Sequence, residues 1–77
     1  MVHAFVMVKT NVAASESLLG MIRDLDPVTE AHIVAREYDL IVELSVDEVY
    51  DVLQTTASEI QSLDGVLETK TYMSLED

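Results

Sequence analysis

The sequence predicts one α+β domain with the element order βαββαβ, in which four antiparallel strands carry both helices on one face. Three observations lead there. Apolar residues alternate with period two in Val2-Ala4-Val6-Val8 and again in Leu40-Val42-Leu44-Val46. Two other stretches carry apolar residues at helical spacing. Finally, Leu25-Asp26-Pro27-Val28-Thr29-Glu30 echoes Leu63-Asp64-Gly65-Val66-Leu67-Glu68 at an offset of 38 residues. One βαβ unit therefore reads as occurring twice, which gives the ferredoxin-like sandwich.

Each element has its own reason. Val2 to Thr10 reads as a strand that is apolar on both faces at its middle, because Phe5 and Met7 interleave with the valines. Ser15 is suited to cap a helix, with Leu18, Met21, Ile22 and Leu25 at helical spacing and Asp26-Pro27 as the stop. The second strand is expected from about Val28 to Arg36 and the third from about Asp39 to Val46. Asp47 is the expected cap of a longer helix buried through Val49, Val52, Leu53, Thr56, Ala57, Ile60 and Leu63. Asp64-Gly65 should end it, with Gly65 at the left-handed C′ position. The last strand is expected from Val66 to Leu75, followed by a solvated end, Glu76 and Asp77.

Composition narrows the function. At 77 residues the chain has room for a single domain, residues 1–77. A chain this short buries only about 60% of its unfolded surface. Small domains without crosslinks often oligomerise to bury more. There is no Cys, and His3 and His32 sit on separate strands, so a structural zinc site is not expected. Fifteen acidic and four basic residues give a net charge of −11, which disfavours direct contact with nucleic acid or an anionic membrane. No apolar stretch approaches the roughly 20 residues of a membrane span, and no secretory signal is evident, so a cytoplasmic protein is expected. Yet 49% of residues are hydrophobic, so this is a core with an acidic shell. That shell is either an ordinary acidic surface or an adaptation to a high-salt, halophilic cytoplasm.

The uncovered sheet face should carry Phe5, Met7 and Ile41. It is apolar enough to suggest dimerisation through the sheet. Met1, Met7, Met21 and Met73 read as core or interface filler, and Glu48, Asp51 and Glu59 as a solvated helix face.

The most distinctive segment is the polar corner Arg36-Glu37-Tyr38-Asp39 between two apolar strands. Together with Val2-His3-Ala4-Phe5-Val6-Met7-Val8, Leu25-Asp26-Pro27-Val28 and Asp64-Gly65-Val66-Leu67-Glu68-Thr69-Lys70-Thr71, it resembles the ligand-binding, or RAM, domain of the Lrp/AsnC transcription regulators. The corner is similar to the family's G-x-Y-D-L, and the last segment to its P-G-V-x-x-T-x-T. The resemblance implies sheet-to-sheet dimers that join into larger rings, with amino acids bound between dimers. Family members with a helix-turn-helix carry it before the first strand, so the chain reads as a stand-alone domain with no DNA-binding domain.

An amino-acid site needs an acceptor for the ammonium, donors for the carboxylate and a shaped wall. Asp39 is the candidate acceptor and Tyr38 the candidate wall or hydroxyl donor. The resemblance places Thr69 and Thr71 near the effector. Arg36 departs from the family's Gly, which permits φ > 0 or close approach of a ligand. Arg36 either forks onto a ligand carboxylate or fills the pocket paired with Glu37 or Asp39. Tyr38 and Asp39 alternatively form nothing more than a turn.

The expected function is therefore a non-enzymatic, small-molecule effector domain in transcriptional or metabolic regulation, without a cofactor. One rival is a ligand-free adaptor that co-assembles with full-length Lrp/AsnC regulators. Another is a small dimeric α/β-barrel enzyme, for which Tyr38 and Asp39 offer only a weak acid–base pair.

Overall fold

The computed structural model describes residues 2–74. Met1, the expected strand end at Leu75 and the expected solvated end at Glu76 and Asp77 lie outside them. Along the chain come β1 (Val2–Thr10), α1 (Ser15–Arg23), β2 (Val28–Ile33), β3 (Leu40–Val46), α2 (Val49–Leu53) continuing into a π-helical segment (Gln54–Ile60), and β4 (Val66–Met73). The strands form one antiparallel sheet in the order β2-β3-β1-β4. This is the ferredoxin-like βαββαβ arrangement that the two apolar alternations require.

The core grows from register. Ala4, Val6 and Val8 of β1 pair directly with Leu44, Val42 and Leu40 of β3, and all six side chains are fully buried. They meet Leu18 and Ile22 of α1 and Val52 and Ile60 of the second helical stretch in one cluster. Burying each Val, Leu or Ile of this cluster contributes about 1.5–3 kcal/mol. The repeat is visible in hydrogen bonds. Val28 N–H donates to Leu25 C=O at 3.0 Å, and Val66 N–H donates to Leu63 C=O at 3.2 Å. The same turn thus launches each edge strand.

Several local expectations are corrected. Ala14, not Ser15, holds the α1 cap position, and it makes no side-chain capping bond. The Ser15 hydroxyl instead pairs with the Thr10 hydroxyl at 2.9 Å, tying β1 to the helix start. Met21 is 52% exposed, because Leu18 and Ile22, one turn apart, suffice to cover the sheet beneath α1. Glu48, not Asp47, caps α2, and the Asp51 carboxylate accepts the Glu48 N–H at 3.3 Å.

The second helix departs most from its expected stripe. Val52, Thr56 and Ile60 are buried, but Val49 and Leu53 are half exposed and Ala57 is exposed. Thr55 is buried in their place. The cause is the π winding, with Gln61 N–H donating to Thr56 C=O at 2.9 Å. Bonding i→i+5 widens the turn, so Thr55 and Ile60 share the inner face. The winding leaves the Thr56 hydroxyl buried with no hydrogen-bond partner among the described residues.

Gly65 does adopt φ +98, but at the entry to β4 and not as the C′ residue of the helix. It faces α1: a Cβ there would lie 3.2 Å from the Ala14 Cβ and 3.3 Å from the Leu18 Cδ1.

Candidate functional site

Strands β2 and β3 stop short of the corner, which runs through residues 34–39. The sequence placed Arg36 at a strand end; the structure places it at φ +108, where an extended strand cannot continue. Among the described residues two non-glycine residues take positive φ. Ala13, at 69, sits in the ordinary left-handed well, whereas Arg36 lies beyond it. The position the resemblance assigns to Gly therefore keeps the backbone geometry that favours Gly. Strain of this kind costs about 1–3 kcal/mol and persists only where neighbours impose it.

Asp39 supplies that imposition. Its N–H donates to Val8 C=O at 2.9 Å, and its C=O accepts from Val34 N–H at 2.8 Å. Its Oδ2 accepts the Thr10 N–H at 2.8 Å. Asp39 thus clamps the corner to β1, and its carboxylate is engaged by backbone. Tyr38 turns to the other side, where its hydroxyl donates to Glu68 Oε2 at 3.2 Å. Partial burial, and then this hydrogen bond, hold the Tyr38 hydroxyl above its ordinary pKa, so it remains a donor.

A cleft of about 420 Å³ opens beside the corner. Its apolar side is Met7, Val34 and Ala35, and Tyr38 and Tyr72 supply aromatic walls. Arg36, Glu37 and Lys70 bring charge to it. Arg36 makes no ion pair among the described residues, so the expected pairing with Glu37 or Asp39 is absent.

The five residues singled out in the sequence do not converge. Arg36 and Tyr38 line the cleft; Asp39, Thr69 and Thr71 are not part of its lining. Thr69 and Thr71 stand opposite Val8 and Val6 and so share the helix-covered face. Thr69 Oγ1 there accepts from Gln61 Nε2 at 2.6 Å. Lys70 and Tyr72 stand opposite Met7 and Phe5, on the uncovered face. Sequence reasoning passed over both, although period-two alternation from Thr69 and Thr71 would have found them.

A larger cleft, about 600 Å³, lies between the β3 end and the second helix. Asp26, Asp47, Asp51 and Glu59 line it and no cation does, so it repels a ligand carboxylate. The uncovered sheet face carries Phe5, Met7 and Ile41, as alternation requires, together with Tyr72. It is more polar than expected. Glu30 and Glu43 stand directly opposite each other there, and each is met by an imidazole, His32 at 3.0 Å and His3 at 3.1 Å. Among the described residues no group of three His, Asp or Glu is placed to hold a metal, and no helix is long and apolar enough to cross a membrane.

Fold and cleft together define a small sheet-and-helix domain with a polar, partly aromatic pocket at a strand corner, the architecture of a small-molecule binding domain. The chain belongs to the Lrp/AsnC ligand binding domain family, whose model matches residues 3–77. Solved structures agree. A Thermus thermophilus protein is 27% identical with a TM-score of 0.95, covering 100% of this chain and 96% of its own. A hypothetical protein of Pyrococcus horikoshii is 27% identical with a TM-score of 0.91, covering 100% of this chain and 93% of its own. A Neisseria meningitidis transcriptional regulator in complex with L-Met shares the fold at 18% identity and a TM-score of 0.87, covering 99% of this chain and 51% of its own. No curated protein gives a significant match.

Proposed function

We propose that this domain is a regulatory effector-binding module that takes a free amino acid at the corner cleft and does not itself contact DNA. The observation that carries the reading is Arg36. It is held at a strained φ of +108, makes no ion pair among the described residues, and lines a cleft in a protein with only four basic residues. A guanidinium kept unpaired at such a site suits a ligand carboxylate, which it grips with two parallel N–H donors. Glu37 is the acceptor within the cleft for the ammonium, a role the sequence had suggested for Asp39. Met7, Tyr38 and Tyr72 wall the side chain. On the same fold, the Neisseria regulator holds L-Met, so an amino acid is a fitting ligand class.

The uncovered sheet face serves as a homodimer surface in this reading, from which a larger ring is assembled. Full-length Lrp/AsnC regulators are the further partners, and the cytoplasm is the compartment. The reading is regulatory and not catalytic, in keeping with the ligand-binding family to which the chain belongs.

A thermal-shift screen of the free amino acids, with sedimentation to follow assembly, tests this. A ligand present at about 100 times its Kd adds roughly 2.7 kcal/mol of stability. For a domain of this size that raises the Tm by about 10 °C or more. A shift for one or a few amino acids, lost in Arg36→Ala, is the expected result. No shift for any, with co-purification of a helix-turn-helix paralogue, would replace this reading with the adaptor.

A further inference from the structure

We infer that the corner cleft selects a ligand with two carboxylates and one ammonium, an acidic amino acid of the aspartate and glutamate class. This rests on the effector reading above and specifies its ligand.

The chain has four basic residues in a net charge of −11. Arg23 is committed to the fold, since its Nε and Nη2 both donate to Ala31 C=O, at 3.1 and 2.8 Å. Lys9 is not part of the cleft lining and stands directly opposite Glu68 across β1 and β4. The remaining two, Arg36 and Lys70, come from different elements and line the same cleft. Neither makes an ion pair among the described residues. Half of the basic residues of an acidic protein thus face one small concavity.

Two unpaired cations at one cleft repel each other and attract anions. The one carboxylate of the lining, Glu37, balances only one of them. Glu68 lies outside the lining and accepts the Tyr38 hydroxyl at 3.2 Å. The complement of two cations and one carboxylate is two carboxylates and one ammonium. Met7, Val34 and Ala35 provide an apolar surface for the short methylene chain between them. An aliphatic amino acid would satisfy one cation and lay its apolar side chain against the other, which costs desolvation without return. A neutral amide such as glutamine would accept a hydrogen bond from the Lys70 ammonium but bring no second negative charge to offset that cation.

Titration calorimetry at one fixed ionic strength decides the matter, with the potassium salts of L-glutamate and L-aspartate compared against L-glutamine, L-asparagine, L-leucine and L-methionine. An acidic amino acid should bind at least tenfold more tightly than its amide. Lys70→Met should weaken the acidic amino acid more than its amide and so shrink the difference between them, and Lys70→Gln provides a polar replacement if Met perturbs the sheet. Neutral amino acids binding as tightly as acidic ones, or Lys70 variants weakening both alike, would overturn the inference and leave the effector reading standing. Binding by none of the six would overturn this inference, and silence across the full amino-acid screen would overturn the effector reading as well.

Discussion

Replacing Arg36 by glycine should make the ligand-free domain more stable. Arg36 sits at φ +108, outside the left-handed well that non-glycine residues tolerate. A backbone held there stores about 1–3 kcal/mol. Glycine removes that strain, because it has no Cβ to clash, but it also loses more chain entropy on folding, roughly 0.5–1 kcal/mol. The net gain is therefore about 1 kcal/mol, or about 4–8 °C in Tm for a domain of this length. Removing a cation from an acidic protein has its own effect, so Arg36→Ala is the control. Alanine loses the same charge yet keeps the Cβ and the strain. The measurement is the difference in thermal or urea midpoint between Arg36→Gly and Arg36→Ala without ligand. Glycine should exceed alanine by about 1 kcal/mol. Equal stabilities would refute the strain argument, and would make Arg36 a replaceable surface residue and not one held for a purpose.

Three further outcomes follow from the same structure. Thr56→Val should stabilise the fold by about 1 kcal/mol in urea titrations, because it removes a buried hydroxyl that has no partner while keeping the side chain's shape. Tyr38 should titrate above its ordinary pKa of 10.0, as followed by ultraviolet absorbance. Its folded pKa is raised, so the advantage of wild type over Tyr38→Phe should be complete below pH 10 and shrink as pH rises through the folded value. Lowering the salt concentration should lower the Tm, because a net charge of −11 repels itself more strongly when unscreened; a Tm flat across a salt series would show that the acidic shell carries no such cost.

Much of the architecture is legible in the chain because burial is periodic. Ala4, Val6 and Val8, and Leu40, Val42 and Leu44, must face one core, and the 38-residue echo doubles the unit. Helix details were less legible. A 3.6-residue stripe cannot foresee a π winding, which depends on how Val52, Thr56 and Ile60 settle on the sheet. Nor does the residue type of Ser15 show that its hydroxyl will turn to Thr10 and away from the helix N–H groups.

The candidate site shows the same division. The sequence alone showed that the Arg36-Glu37-Tyr38-Asp39 corner is the chain's unusual polar feature, and the resemblance implied that Arg36 stands where the family has Gly. Which corner residues face outward was decided by the tertiary structure. Asp39 is drawn into a backbone bond with Thr10, 29 residues away, so its carboxylate serves the fold. Thr69 and Thr71 fall on the helix side because β4 pairs with β1 in one register, and that same register brings Lys70 and Tyr72 to the cleft. A strand's neighbours fix which of its two faces points where, and a site assembled across strands is settled only when they pair.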